Sequence, residues 1–520
     1  IVQQDNTKAI SGKVSDTSGE PIIGANIIEK GTQNGTITDV DGNFNLTVKA
    51  GAQLQIRYIG YVEQTINVRD QTFINIQLQD DATQLDEVIV TGFGLSQKKA
   101  TLTGAISSVR SDDLSRSLAT STAGALAGKI PGLNFRQADS RPGSNPSIQI
   151  RNMGTPLFII DGVQKDEGQF NNIDFNDIES ISILKDASAS IYGVQAANGV
   201  VVVTTKKGTK NTRNTVTLNT YYGFQSASRF PDPADAVTYV ESYIQSETIQ
   251  GKPNRTYSQE DLEKWRQGTE KKYRGFDWAD YIWVTSPQYY ANINVTGGSD
   301  KINYYFSLGH LNQESIVRSY GGVKRYNVQF NVDAEITPKL KIGITMNGRI
   351  KDDKHPGVPG VDDYNYPLIA SYRNQPTVRP FANDNPNYPA KTNSDQSLNF
   401  GLLNYETSGT FRDTWRIAQL NGNVEYEILK GLKLKGLFGY YLANRKLDNQ
   451  EKTYKVYDYN EETDTYFVVG NRASAWKERT TEMVEELTSN IQVSFDKKIE
   501  GHSVAAVLGF EAIKRDQPSH

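Results

Sequence analysis

Alternation of apolar and polar residues dominates the chain from Asn214 onward. In a β-strand every second side chain points to the same face, so long alternating runs predict long strands with two unlike faces. Nine such strands are predicted, over about 214–226, 287–298, 300–313, 323–337, 339–351, 413–428, 431–446, 484–497 and 501–514.

The connections between these strands alternate in length. Short turns such as 337–339 and 429–431 join every second pair of strands, whereas the connections 227–286, 352–412 and 447–483 are much longer. Outer-membrane β-barrels have short turns at the periplasmic end and long loops at the extracellular end. The pattern therefore predicts a mainly β protein in which 209–520 is part of a transmembrane β-barrel.

Composition is compatible with this prediction and excludes several other classes. No run approaches the ~18 apolar residues of a membrane-spanning helix. This test does not detect barrel strands, because apolar and polar residues alternate along them. Tyr (28) and Gly (43) are abundant and Met (3) is rare, as expected of a large β-protein. Without Cys, neither disulfides nor thiol chemistry is available, and a net charge of −4 gives no reason to expect nucleic-acid binding.

Short strands and turn signals recur through Ile10–Leu78, and this pattern predicts that the first segment, 1–79, folds as a separate β-sandwich. Asp39, Asp41 and Asn43 have the i, i+2, i+4 spacing of calcium ligands. The closing Glu of an EF-hand loop is missing, so a hairpin turn is the favoured interpretation.

A linker, 80–97, follows, and it contains a short β-prone segment made of Leu85, Asp86, Glu87, Val88, Ile89 and Val90. Such a segment, between a polar spacer and Gly92-x-Gly94, suits β-augmentation, in which a peptide adds as a strand to a partner's sheet edge. An ordinary edge strand of a neighbouring domain is the alternative. The glycine pair lacks the third Gly and the βαβ context of a dinucleotide site.

Residues 98–208 predict one mixed α/β domain. A helix is expected from Leu118 to Ala127, ended by Gly128 and Pro131. Buried strands are expected in SIQIRNM and PLFIIDGV, and the domain closes with LKDASASIYGVQAANGVVVVTTKKG over Leu184–Gly208.

Five segments of this domain, ATLTGAISSV, ALAGKIPGL, IQIRNMG, PLFIIDGV and LKDASASIYG, resemble in the same order the plug domain of SusC-like TonB-dependent outer-membrane transporters (the SusC/RagA family). The N-terminal sequence segment KGTQNGTITDVDGNF resembles part of the carboxypeptidase-regulatory-like domain. The resemblance implies that Leu85–Val90 is the TonB box. It also implies a set of plug-motif positions, namely Arg151, Asp161, Gly162, Lys185, Asp186, Tyr192, Gly193, Asn198 and Gly199. For Arg151 a structural ion pair, and for Asp161-Gly162 a turn, are the alternatives.

The resemblance further implies active import through the outer membrane. TonB, energised by the inner-membrane ExbB–ExbD complex, would pull the plug from the periplasm, where the N-terminal domain and TonB box would lie. A SusD-like lipoprotein would capture an oligosaccharide or peptide outside. A barrel around such a plug needs about 22 strands, so nine are the N-terminal part of an incomplete wall in contact with outer-membrane lipid.

No enzyme, cofactor or metal site is predicted. The four His (310, 355, 502, 520) have no metal-ligand spacing, and no catalytic triad, nucleophile elbow or phosphate loop is present. A siderophore or cobalamin transporter and a secreted multi-domain β adhesin remain alternatives. A membrane-interface girdle is favoured over substrate stacking for the strand aromatics among Tyr281, Trp283, Tyr289, Tyr290, Tyr304 and Tyr305. Both interpretations stay open for Tyr364, Tyr366, Tyr372 and Tyr388.

Overall fold

The structure is a computed structural model. It describes residues 7–517 except 18, 33, 50, 59–60, 69–70, 80–87, 91–95, 99–105, 116–117, 138–140, 231, 358–364, 393–399, 403 and 500–501. Leu85, Asp86, Glu87, Tyr364 and His520 therefore lie outside the described residues.

The N-terminal segment folds as the predicted sandwich. Its seven strands are β1 (Thr7–Ser15), β2 (Asn26–Glu29), β3 (Gly35–Ile37), β4 (Asn43–Lys49), β5 (Gln53–Arg57), β6 (Gln64–Asn67) and β7 (Phe73–Gln77). They form two sheets, in the orders β4–β1–β7 and β3–β2–β5–β6. Alternation along β4 buries Phe44, Leu46 and Val48 in the core between them. Asp39 Oδ1 accepts the backbone N–H groups of Asp41 and Asn43, which is the turn geometry favoured above over a calcium loop.

A short antiparallel hairpin follows the sandwich. It pairs β8 (Val88–Val90) with β9 (Ser96–Lys98), and Ile89 is opposite Gln97.

The next part of the chain forms a five-stranded sheet. Its strands are β10 (Ile106–Arg110), β13 (Leu157–Ile160), β14 (Val163–Lys165), β15 (Ile178–Leu184) and β16 (Val200–Thr205), in the order β10–β15–β16–β13–β14. A separate pair joins β11 (Leu133–Arg136) to β12 (Ser147–Ile150). The all-apolar run of β16 lies at the sheet centre, parallel to β13 and antiparallel to β15. Short helices fill the connections: Ser111–Ser115, Thr122–Leu126 and Glu167–Asn171, with 3₁₀ turns Phe175–Asp177, Asp186–Tyr192 and Val194–Ala196.

The helix predicted from Leu118 begins later than expected, at Thr122. Ser121 has an extended backbone (φ −133°), and its side chain accepts the N–H of Gly124. A serine with that geometry caps a helix and cannot lie inside it. The prediction of helix over 118–121 was therefore wrong, because Ser121 is the capping residue and the helix starts after it.

The C-terminal region is one nine-stranded antiparallel sheet in chain order. Its strands are β17 (Thr212–Gln225), β18 (Ser286–Gly298), β19 (Ile302–Glu314), β20 (Gly322–Thr337), β21 (Leu340–His355), β22 (Gly409–Leu429), β23 (Leu432–Glu451), β26 (Trp476–Ile499) and β27 (His502–Asp516). Between β23 and β26 lies a hairpin of β24 (Tyr454–Asn460) and β25 (Thr465–Arg472). The prediction of a loop over 447–483 was wrong in this respect, because the ladder continues until Glu451 is opposite Trp476.

The long connections carry the remaining helices, Ala236–Ile249, Gln259–Gln267, Trp278–Ile282 and Asn365–Arg373. They also carry the 3₁₀ turns Lys271–Tyr273, Ala382–Asp384 and Phe400–Leu402. In the described part of the chain, none of the helices has the length and apolar character needed to cross a membrane.

The nine-stranded sheet, called the wall below, has one apolar and one polar face. Large apolar side chains such as Leu218, Ile293, Leu308, Ile344 and Phe438 are exposed on one face. On the other face, the alternate positions Asn292, Ser307, Asn327, Gln329 and Asn331 are buried. Polar residues are buried there because they contact the five-stranded domain, which is called the plug below.

Candidate functional site

The predicted plug-motif residues lie at the two opposite ends of strand β16. At its start, Asn198 donates to the carbonyl of Thr155 (3.2 Å) and Gly199 adopts φ 90°. A Cβ on Gly199 would lie 2.6 Å from Ile150 Cδ1 and 3.0 Å from the carbonyl of Leu184. Both the backbone conformation and the close packing therefore require glycine at this position.

Lys185 and Arg151 meet the same turn, 131–132. The buried Lys185 Nζ donates to the carbonyl of Pro131 (2.5 Å) and to Ser107 Oγ (3.2 Å), and the backbone N–H of Arg151 donates to Gly132. Arg151 itself is exposed in a left-handed conformation (φ 51°). Asp186 and Tyr192 bound the 3₁₀ turn that follows, and Gly193 (φ 71°) ends it.

Asp161 lies at the other end of β16. Its Oδ1 accepts the N–H of Thr205 (2.9 Å) and its Oδ2 accepts the Thr205 hydroxyl (2.8 Å), while Gly162 completes the turn with φ 83°. Burial raises the pKa of the Asp161 carboxyl, and the two bonds from Thr205 act in the opposite direction. The carboxylate therefore closes the β13–β14 turn onto β16.

Of the predicted TonB box, the structure describes Val88–Val90 as strand β8 of the short hairpin. A two-stranded sheet leaves one edge of each strand without a partner in that sheet. This arrangement is compatible both with β-augmentation and with the alternative of an ordinary edge strand.

The plug contacts the wall through a buried cluster of polar groups that the sequence analysis missed. Asp174 accepts the hydroxyl of Tyr290 on β18 (2.6 and 2.8 Å to its two oxygens) and the side-chain amide of Asn292 (3.3 Å). Three residues later, Asp177 accepts the hydroxyls of Tyr305 (2.9 Å) and Ser307 on β19.

Tyr290 and Tyr305 are therefore not girdle residues. They are 4% and 1% exposed and contact the plug, on the face of the wall opposite the exposed apolar side chains. The prediction of a girdle was wrong for these two. A usable signal did exist, because Asn292, Asn294 and Ser307 occupy alternate positions on the same strands and mark that face as polar.

A second contact lies further along the wall. Lys165, at the end of β14, forms an ion pair with Glu486 of β26 (3.0 Å), and its ammonium lies 4.9 Å from the ring centre of Tyr441. Both side chains of the pair are largely buried. Between the two contacts, Asn331 on β20 donates to Thr205 Oγ1 (2.9 Å) and to the Lys206 carbonyl (2.6 Å).

Parts of the long connections 226–285 and 356–408 line an open pocket of about 590 Å³. Its lining includes Phe230, whose ring stacks on the exposed Tyr372 (4.9 Å), and Asp232. The backbone N–H of Phe276 donates to the Pro376 carbonyl (2.8 Å) and joins the two connections.

Among the described residues, no cluster of three or more His, Asp or Glu side chains could hold a metal ion. His310 stacks on Tyr326, and His355 stacks on Phe411. The polar groups brought together here bind one another and hold the plug to the wall.

Two family models match the chain. Residues 10–90 match the CarboxypepD_reg-like domain, and residues 98–200 match the TonB-dependent Receptor Plug Domain. A plug of this class against a sheet with one apolar face defines a TonB-dependent receptor of the outer membrane.

Curated relatives narrow the class further. The chain is 29% identical to TonB-dependent receptor SusC of Bacteroides thetaiotaomicron over 96% of its own length and 50% of that protein. It is 35% identical to TonB-dependent receptor P26 of Formosa agariphila over 66% of its length and 34% of that receptor. Over most of its length the chain is similar to SusC-like TonB-dependent receptors, and it spans half or less of the length of these relatives.

The fold has a solved counterpart. The RagAB peptide importer in its open-open state matches 83% of this chain and 49% of its own chain, with a TM-score of 0.65 at 22% identity. The predicted fold class is thereby confirmed: a mainly β protein with an N-terminal sandwich, a mixed α/β plug and strands of an outer-membrane barrel.

Proposed function

We propose that this protein imports a nutrient oligomer across the outer membrane and that TonB energises the import. The observation that carries the proposal is a folded plug bound by buried side chains to the polar face of a barrel wall. A plug held in this way blocks passive passage, so import requires work on the plug. Similarity to SusC supports the same conclusion. No step requires covalent chemistry, so the role is that of a transporter and not of an enzyme.

The proposed connection to TonB is the segment 85–90. TonB adds to this segment as a strand, which transmits force along the backbone into the plug. The plug-motif residues then act as structural supports: Lys185, Asn198 and Gly199 at one end of β16, and Asp161 with Gly162 at the other.

The proposed partner outside the cell is a SusD-like lipoprotein that captures the cargo. The cargo is an oligosaccharide or an oligopeptide. RagAB is described as a peptide importer, and the likeness of this chain to RagAB supports the peptide alternative by fold alone.

Deletion of residues 85–90 from the full-length receptor tests the proposal. We expect uptake of the cargo to fall to background while binding at the cell surface stays unchanged. A deletion of 80–84 is the matched control, because it shortens the same linker and leaves the segment intact. Uptake that survives the 85–90 deletion would show that the TonB box has been placed wrongly.

Two other functions make different predictions. A siderophore or cobalamin transporter would take up a ferric chelate or a corrinoid, and competition with these ligands tests for it. A secreted adhesin would be recovered without detergent and would show no energy-dependent uptake.

A further inference from the structure

The turn Phe175–Asp177 of the plug brings two buried carboxylates to the wall. Asp174 and Asp177 are each 1% exposed. Asp174 caps the turn by accepting the N–H of Asn176 (3.0 Å), and Asn176 in turn donates to the hydroxyl of Tyr290 (2.6 Å). The two acids therefore belong to one short, hydrogen-bonded segment of the plug.

The groups that bind these carboxylates are neutral. Tyr290 and Asn292 donate to Asp174, and Tyr305 and Ser307 donate to Asp177. Within the described parts of the chain, neither acid has a Lys or Arg nitrogen within 4.0 Å. Hydroxyl and amide donors stabilise one buried negative charge, but they do not cancel two.

Other charged or titratable groups act on the turn from each neighbouring element. Lys206 lies in the plug after β16 and favours the ionised form of Asp177. The guanidinium of Arg325 on β20 attracts Asp174 electrostatically and donates to the Thr120 carbonyl (2.9 Å). The ring of Tyr221 on β17 packs on that of Tyr290, and the hydroxyl of Tyr305 on β19 donates to Asp177. Burial and the neighbouring Asp174 nevertheless raise the pKa of Asp177 to about 7.

We propose that Asp174 and Asp177 together form a proton-binding site, and that the single proton held there fastens the turn 174–177 of the plug to strands β18 and β19. With one proton, the pair carries one charge and each carboxyl keeps its hydroxyl donors. Without the proton, two like charges share one buried turn and their repulsion weakens the contact. Release of the plug from β18–β19 is then easier in alkaline than in mildly acidic surroundings.

Infrared difference spectroscopy of the full-length receptor in detergent tests the site directly. We expect a protonated-carboxyl C=O band that disappears between pH 6 and pH 8 and that Asp177→Asn and Asp174→Asn each alter or remove. Asp235→Asn is the control, because Asp235 caps a loop helix and its pKa is lowered by hydrogen bonds from Thr238, which keeps it ionised over this range. A band unchanged in both cluster variants would overturn the proposal.

A second measurement, thiol labelling, tests without a transport assay whether the proton holds the plug to β18 and β19. The chain has no Cys, so Ala123→Cys places a single thiol in the buried plug helix. We expect its labelling rate, corrected with an exposed Ser246→Cys thiol, to rise about several-fold from pH 6 to pH 8. Asp177→Asn, which mimics the protonated acid, should abolish this rise. An equal rise with and without Asp177→Asn would contradict the fastening, whatever the outcome of the uptake experiments on residues 85–90.

Discussion

At the scale of single residues, burial decides which plug–wall contacts matter. Lys165–Glu486 and Lys207–Asp333 both join the plug to the wall at 3.0 Å. The first pair is 2% and 12% exposed, whereas the second is 40% and 31% exposed. Water screens the second pair, while loss of one partner from the first leaves a charge that nothing compensates.

Lys165→Met should therefore lower the free energy of unfolding by about 3–5 kcal/mol, measured by denaturant titration of the receptor in detergent. The matched control, Lys207→Met, should cost about 0–1 kcal/mol. Adding Glu486→Leu to Lys165→Met should restore most of the loss, because no isolated charge then remains. Equal effects of the two single variants would contradict the argument.

A comparison of Gly199 with Gly193 distinguishes the cost of backbone strain from the cost of close packing. Gly199 and Gly193 both have positive φ, but only Gly199 has atoms within reach of an added Cβ. We expect Gly199→Ala to destabilise the plug by roughly 1–3 kcal/mol more than Gly193→Ala, which has only the backbone cost. Thermal unfolding of the two variants measures the difference. If Gly193→Ala is as damaging as Gly199→Ala, contact with Ile150 and Leu184 is not what requires glycine at 199.

At the scale of elements, the pH dependence of the plug follows from its buried turn. The pKa of Asp177 is about 7 in the fold and near its ordinary value of 3.8 when unfolded. The contribution of this group to stability is complete below pH ~4 and is lost as the pH rises through 7. Unfolding free energies measured from pH 5 to pH 8 should fall in the wild type, and more steeply than in Asp177→Asn. Parallel curves would show that Asp177 does not titrate in this range.

Local signals predicted elements well, and long-range contacts could not be predicted. The nine strands were found because one face meets apolar surroundings and the other meets the plug, which imposes period two. The start of the helix was predicted at Leu118 and not after Ser121, although serine is a common capping residue. The bond between Asp174 and Tyr290 joins distant parts of the chain, and no local pattern encodes which hydroxyl meets which carboxylate.

At the scale of the whole wall, the two faces of each strand have different surroundings. Leu308 lies in the middle of β19, between Ile293 and Val328, and is 43% exposed on the apolar face. On the opposite face, Ser307 is fully buried against the plug. An apolar face of this kind is the one that a barrel wall presents to lipid.

Leu308→Lys should therefore cost about 2–4 kcal/mol in lipid vesicles, because an ammonium near the bilayer midplane loses its hydration. Ile249→Lys is the control, since Ile249 is an apolar residue that is more exposed than Leu308 (80%) and lies at the end of a helix of the connection 226–285, where water surrounds the new charge. That variant should be within about 0.5 kcal/mol of the wild type. Unfolding titrations of both variants in the same vesicles measure the contrast. Equal stabilities would mean that the apolar face of the wall does not contact lipid, and the barrel assignment of these nine strands would fail with it.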